Sequence, residues 1–274
     1  MPRDEEPSSG LVRRIGRRTL AGLRYVGGMA LLLGETTRWV WRGLFTRRTR
    51  FGVGALAEQM MRVGVKSLTV VMLVQVFIGV ILALQMTPPL AQFQQEAQVS
   101  KIIGVAGFRM LGPIITAVVL SGFAGASIAA ELGTMVVAEE IEAMDAMALN
   151  PVRFLVMPRV LATIVMMVVL SVIADLMIAL GGWLTSFLVL GPESYVGYWQ
   201  RMNDQLQYKD LYTGLIQAGV FGLLISLIAC HEGLSVRGGA EGVGRATTMT
   251  VVYSIVAIVS AACVFTVIFF IYDL

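Results

Sequence analysis

The sequence contains 274 residues, of which 57% are hydrophobic and only 14% are charged. A water-soluble domain carries about 25% charged residues, so this composition excludes an ordinary soluble fold. The formal net charge is +3, and eleven of the 21 Lys and Arg residues precede residue 51, which predicts a basic N-terminal region, residues 1–50, followed by an apolar body, residues 51–274.

The basic region contains a pattern typical of an amphipathic helix. Between residues 11 and 27, six apolar side chains fall on one side of a helical wheel and five arginines fall on the other. A helix of this kind binds the interface of an anionic lipid leaflet, and we predict that arrangement, with a basic disordered tail as the alternative. The segment lacks the uninterrupted apolar stretch of a signal peptide.

Five apolar segments of the body are long enough to cross a membrane. A hydrocarbon core about 30 Å thick requires roughly 20 apolar residues in a helix. The segments are continuously apolar, whereas the strands of a membrane barrel alternate. The predicted fold class is therefore an all-α integral membrane protein with five transmembrane helices, at residues 67–86, 102–130, 160–190, 211–229 and 247–272.

The distribution of Lys and Arg predicts the orientation of these spans, because basic segments remain on the cytoplasmic side. The Arg-rich N-terminal region is expected to be cytoplasmic, and five spans then place the C-terminus on the opposite side. Loops 87–101 and 191–210 become external, and loops 131–159 and 230–246 become cytoplasmic.

The first predicted cytoplasmic loop, residues 131–159, is expected to contain a short amphipathic helix. Its apolar residues recur every three positions, as on one helix face, and Asn150-Pro151 then ends the helix, because a residue before proline is disfavoured in the α conformation. Two interpretations remain open: a solvated acidic face, or a docking helix whose apolar residues fill a groove in a partner. The apolar members are Ile141, Met144 and Met147, and the acidic members are Glu139, Glu140, Glu142 and Asp145.

Several residues inside the predicted spans are unusual in a lipid environment. Asp175 lies in the middle of the third span, where a carboxylate is costly unless it is paired or hydrated. Gly181-Gly182 nearby permits a close approach of another backbone. Gly112-Pro113 is expected to kink the second span, one turn after Arg109. The small residues of 121–130 predict close helix packing, within the chain or between subunits.

The sequence carries no set of residues that indicates catalysis. No GxxxxGK[ST] phosphate-binding loop is present, and His231 is the only histidine. The two cysteines, Cys230 and Cys263, do not form a CxxC motif, which argues against a disulfide framework. We therefore expect no catalytic residue, no metal site and no cofactor bound by this chain.

Three stretches together resemble the MlaE/YrbE family of permeases, the membrane subunits of Mla and Mce-type lipid transporters. They read LGPIITAVVLSGFAGASIAAELGTM at 111–135, EEIEAMDAMALNPVRFLVMPRVLA at 139–162 and GLSVRGGAEGVGRATTMTVVYS at 233–254. The resemblance covers roughly residues 50–274.

This resemblance implies a permease homodimer in the inner membrane that works with two cytoplasmic ABC ATPase subunits, which bind ATP and Mg²⁺. It also implies a periplasmic Mce-domain lipid-binding protein as a partner, a periplasmic C-terminus, and a phospholipid or related amphipathic lipid as the cargo. Nucleic acid is not an expected partner. Residues 139–147 match the coupling helix of the family, which seats in the ATPase.

The resemblance also suggests residues for the lipid site. Arg109 matches a family position beside the lipid headgroup, and Met110 stands where the family often has Glu. The first span offers an apolar surface for a lipid tail, with Leu84 and the rare polar residues Gln75 and Gln85 as further candidates. The predicted function is the permease subunit of an ATP-driven lipid transporter.

Two alternatives come from other functional classes. A non-transport membrane scaffold would assemble partners through the acidic loop. An ATP-independent channel or secondary carrier would require charged or unwound elements near the middle of the membrane, for which Asp175 is the only candidate.

Overall fold

The computed structural model describes residues 9–45 and 53–272. The predicted positions of the two chain termini and of the boundary at residue 50 fall outside these described residues. The chain divides into two units, residues 1–50 and 51–274. The described residues form helices and no strand, which confirms the predicted all-α fold.

The first unit contains one continuous helix, α1, over Ser9–Phe45. Leu20, Leu23 and Val26 are all more than 60% exposed, and they recur at three-residue spacing along one side of the helix. The guanidinium of Arg42 lies 5.6 Å from the ring centroid of Trp39. The region predicted as an amphipathic helix is thus helical, with large apolar side chains available to an apolar environment.

The second unit contains five helices that are long and apolar enough to cross a membrane, as predicted. Two shorter helices and a single helical turn, Pro192–Tyr195, lie between them. In chain order the helices of this unit are α2 (Gly54–Ala91), α3 (Glu96–Val137), α4 (Glu140–Ala146), α5 (Val152–Leu190), α6 (Tyr198–Gln205), α7 (Tyr208–Leu234) and α8 (Gly239–Ile271), and the five spans are α2, α3, α5, α7 and α8.

The spans are longer than the apolar segments predicted. The first span extends from Gly54 to Ala91, whereas the predicted apolar segment covers only residues 67–86. A helix can continue beyond the lipid, because its ends are set by the hydrogen bonding of the backbone and not by hydropathy. The start of α7, for example, is fixed by a capping box in which Gln207 and Asp210 bind each other's backbone N–H groups. The connections between spans are therefore shorter than the loops that the sequence predicts.

The third span, α5, lies at the centre of the second unit, where it packs against α2 and α7. A buried apolar cluster joins α3, α5, α7 and α8, with Leu120, Met167, Phe221 and Ile258 among its members. The fourth span is the most buried of the five, and the first and fifth are the least buried. The outer surfaces of α2 and α8 are therefore available to lipid or to another subunit.

Glycines bring α2 and α5 into backbone contact. A Cβ atom on Gly79 would collide with the carbonyl oxygen of Ile178, and a Cβ on Gly181 would collide with that of Val76. Small residues permit this approach in lipid, where van der Waals contact drives helix association. The close approach predicted at Gly181-Gly182 is confirmed.

One helix lies in a segment that the sequence predicts as a loop. Helix α6 lies within 191–210 and packs against the beginning of α3. Its buried residues Tyr198 and Met202 are four positions apart, so they share one face, and the Cγ of Met202 sits against Gly104. Two buried side chains in a polar segment are too few to stand out as a helical pattern.

Candidate functional site

A cavity of about 540 Å³ lies beside the connection between α2 and α3, at one end of the second unit. One wall is a continuous face of α3, because its residues follow the i, i+3, i+4 spacing of a helix. The middle of this wall is apolar, and polar side chains lie at both ends. The lining residues are Leu90, Gln95, Gln98, Lys101, Ile102, Val105, Ala106, Arg109, Met110 and Gln205.

Of the two charged residues on this wall, Arg109 lies farther from the start of α3. It lies in a π-helical turn, Gly107–Leu111, and such turns are frequent at functional sites. Its Nη1 is 3.6 Å from Oδ1 of Asp210, and its guanidinium lies 5.6 Å from the ring centroid of Phe269. The other oxygen of Asp210 accepts a 3.0 Å hydrogen bond from the Gln207 backbone N–H, so Arg109 is held against the capped start of α7.

The other three residues predicted for the lipid site do not line this cavity. Gln75 is fully buried and donates hydrogen bonds to the Thr116 hydroxyl (2.8 Å) and the Gly112 carbonyl (3.2 Å). It therefore joins α2 to the Gly112-Pro113 segment of α3. Leu84 and Gln85 are exposed on the surface of α2. The structure brings only Arg109 of the four to the cavity.

Sequence reasoning missed Lys101 and the glutamines of the cavity. The signal that could have found them is the spacing of Gln98, Lys101, Ile102, Val105 and Arg109, which continues the face that bears Arg109. The spacing is not apparent when the second span is predicted to begin at residue 102, because Lys101 then falls in a loop.

The segment predicted as a docking helix forms α4, Glu140–Ala146. Glu139 precedes it with φ of 59°, and Ala148 follows it with φ of 58°, so left-handed residues flank both ends. The Leu149 N–H donates to the Met144 carbonyl at 2.9 Å, which closes the C-terminal turn. The helix thus ends before Asn150-Pro151.

The seven residues predicted for docking share one short, exposed element. Ile141 and Met144 are half-buried, and Met147 is 64% exposed. The four carboxylates Glu139, Glu140, Glu142 and Asp145 are exposed. The structure therefore keeps the apolar and acidic members together and leaves most of their surface open.

A network of charged side chains lies at the end of the second unit that bears α4. Glu131 of α3 accepts a 3.0 Å hydrogen bond from Nη2 of Arg159 in α5, and its other oxygen contacts Arg62 of α2. Arg62 also lies 3.6 Å from Glu58. A second cavity of about 300 Å³ adjoins this network, with Lys66 among its lining residues.

Asp175 lies in neither cavity. It is 2% exposed, and its Oδ1 sits against Gly112 without a hydrogen-bond partner among the residues that the structure describes. In the described part of the chain, no three His, Cys, Asp or Glu side chains are arranged to hold a metal ion.

Comparisons with known proteins agree with this architecture. A family model described as Permease MlaE matches residues 56–268 of the chain. The chain is 33% identical over 260 residues to a probable ABC transporter permease protein of Rickettsia felis, a match that covers 95% of this chain and 98% of the relative. It is 32% identical over 219 residues to the intermembrane phospholipid transport system permease protein MlaE of Haemophilus influenzae, covering 78% of this chain and 82% of the relative.

Proposed function

This chain belongs to the MlaE family of permeases, and on this premise we propose that it moves a phospholipid or a related amphipathic lipid between the inner membrane and a periplasmic Mce-domain carrier. The chain is the membrane subunit of an ABC transporter. In this proposal, ATP hydrolysis with Mg²⁺ occurs on partner ATPase subunits.

The observation that carries the proposal is the cavity beside Arg109. A phospholipid presents an anionic phosphate next to apolar acyl chains, and the cavity offers a guanidinium next to an apolar face of Ile102, Val105 and Ala106. Arginine binds phosphate through two parallel N–H donors. The ion pair with Asp210, at 3.6 Å, holds the Arg109 guanidinium at the wall of the cavity, where a lipid phosphate that enters the cavity would meet it.

The exposed helix α4 supports the coupling part of the proposal. Met147 and the half-buried Ile141 and Met144 provide an apolar face that a groove in the ATPase would bury. The surrounding carboxylates would meet basic residues at the rim of that groove. This arrangement corresponds to an amphipathic helix docked in a groove.

The positions of the two sites support the proposed orientation. The cavity lies at the α2–α3 connection, and α4 lies at the α3–α5 connection, so one crossing of α3 separates them. If α4 meets a cytoplasmic ATPase, the cavity opens towards the periplasm, where an Mce-domain carrier receives or delivers lipid. This orientation places the basic N-terminal region in the cytoplasm, in agreement with the positive-inside rule.

A second copy of the chain is a further proposed partner. Gly122 of α3 is exposed, and a Cβ atom placed on it would meet no atom within 4 Å. Ala126, one turn later, is half-buried. A small-residue surface of this kind allows two membrane helices to approach closely, and we propose that it contributes to a permease homodimer.

A secondary carrier receives no support from Asp175, because that residue lines neither described cavity. A membrane scaffold would need α4 but would have no use for an arginine beside an apolar cavity. The lipid transporter uses both features.

The test combines purification of the intact complex with an Arg109→Ala variant. We expect the wild type to copurify an ATPase and bound phospholipid, and the variant to retain the ATPase but lose lipid by about tenfold, as expected for one charge-assisted hydrogen bond. Arg237→Ala, at an exposed arginine outside the cavity, is the matched control. Equal lipid in Arg109→Ala and in wild type would contradict the proposal.

A further inference from the structure

Lys101 is a second cation on the cavity wall. It is half-buried, and it has no ion pair or hydrogen bond with any side chain in the described part of the chain. Lys101 precedes Arg109 by eight residues, which corresponds to a rise of about 12 Å along α3. Both residues belong to the same lining face.

Both charged side chains that line the cavity are positive. Its ten lining residues include two cations and no carboxylate. Asp210 lies beside Arg109 but is not a lining residue, and it is 6% exposed. Met110 occupies the neighbouring position on the wall and contributes no charge. An anion that enters this cavity therefore meets two cationic side chains on the wall, of which Arg109 is already paired with Asp210 and Lys101 has no carboxylate partner in the described part of the chain.

The remaining polar groups of the wall are neutral amides, from Gln95, Gln98 and Gln205. An amide both donates and accepts hydrogen bonds, so it can bind headgroup hydroxyls. An ammonium headgroup is stabilised most strongly by a carboxylate or by the faces of aromatic rings, and the lining residues include neither. The wall thus fits a headgroup of net negative charge better than a zwitterionic one.

We propose that Lys101 is a specificity-determining residue that makes this cavity prefer phospholipids of net negative charge over zwitterionic phospholipids. This inference rests on the proposed function. Arg109 binds the phosphate that every phospholipid carries, whereas Lys101, about two turns nearer the start of α3, distinguishes what is attached to that phosphate. A headgroup ammonium is repelled by Lys101, and a headgroup with hydroxyls is accepted by the amides around it.

The test is lipid competition on the intact complex in vesicles with equal amounts of phosphatidylglycerol and phosphatidylethanolamine. Tightly bound lipid is then identified by mass spectrometry after purification. We expect wild type to be enriched in phosphatidylglycerol by about tenfold, the effect of one charged contact. Lys101→Gln should bring the ratio close to that of the vesicle with total bound lipid maintained, and Lys101→Arg should retain the enrichment. Lys209→Gln, at an exposed lysine outside the cavity wall, should match the wild type.

Two results would overturn the inference, and they differ in what they say of the proposed function. If lipid is bound and Arg109→Ala removes it, but Lys101→Gln leaves the lipid ratio unchanged, Lys101 is only an interfacial anchor and the proposed function stands. If neither wild type nor any variant retains phospholipid, the proposed function fails, and the inference fails with it.

Discussion

Glu131, near the end of the second span, accepts a 3.0 Å hydrogen bond from Arg159, near the start of the third. Glu131 precedes α4 in the sequence and Arg159 follows it, so their contact joins the two ends of the segment that bears this exposed helix. Arg159 is only 6% exposed and also donates a 2.9 Å hydrogen bond to the Leu155 carbonyl. Glu131 additionally contacts Arg62, which links the first span to the same point.

Removal of the Glu131 carboxylate is expected to destabilise the protein, because it leaves the Arg159 guanidinium buried without its counter-ion. Since Glu131 is about one-third exposed, we expect Glu131→Gln to cost about 2 kcal/mol. Thermal unfolding of the detergent-solubilised protein measures this loss. In the double variant with Arg159→Gln, the loss should be smaller than the sum of the two single losses, and additive losses would contradict a direct interaction.

The apolar face of α4 is expected to carry most of the affinity for the ATPase, because buried anchors contribute more than charges at a rim. Met144→Asp and Met147→Asp should each detach the ATPase, since each would bury an unpaired charge. Glu142→Ala should weaken assembly less, and its effect should be larger at low salt.

Copurification of the ATPase with membrane-inserted permease is the measurement for this prediction. Met147 is 64% exposed in the chain itself, so Met147→Asp should leave the permease fold intact, which makes it the cleaner of the two variants. A full complement of ATPase on the Met147→Asp protein would exclude α4 as the coupling element.

The contact between α2 and α5 is expected to tolerate no side chain at Gly79. Gly79→Ala would press a methyl group against the Ile178 carbonyl and should cost about 1–3 kcal/mol through overpacking. Gly219→Ala is the matched control, because its Cβ would meet only the Val168 side chain at an ordinary 3.8 Å. Equal thermal stability of the two variants would contradict this packing.

The proposed orientation predicts opposite accessibility for the two ends of the chain. In a background without Cys230 and Cys263, single cysteines are placed at Thr19 and Tyr272, both exposed. A membrane-impermeant thiol reagent added outside sealed cells should label the Tyr272 position and reach the Thr19 position only after lysis. Labelling of both positions from the same side would rule out an odd number of spans.

The proposed homodimer predicts a steric effect at Gly122. Gly122→Leu should dissociate the permease pair, because a large side chain would hold the two α3 helices apart. Chemical cross-linking in the membrane measures the dimer fraction. Val172→Leu, at an exposed position on α5, is the control, and unchanged cross-linking of Gly122→Leu would place the dimer contact elsewhere.

The fold class, the five spans and the family were all predictable from sequence patterns. Continuous apolar segments identify membrane helices, because a chain in lipid must satisfy its backbone hydrogen bonds within each helix. The motif around Glu139–Met147 identified α4, because a polar loop gives an apolar stripe a clear contrast. The family resemblance is confirmed by the match over residues 56–268.

The polar residues of the spans that lie together could not be predicted in this way, because their positions depend on how the helices pack. Gln75 and Arg109 are both rare polar residues in apolar segments, yet Gln75 binds Thr116 and Gly112 inside the helix bundle while Arg109 lines a cavity. Hydropathy cannot separate them, because an apolar membrane helix has no polar face to indicate its rotation. The rotation of each span is set by packing, such as the contact of Gly79 with Ile178. That packing brings Lys101 and Arg109 to one cavity and leaves Leu84 and Gln85 on the outer surface.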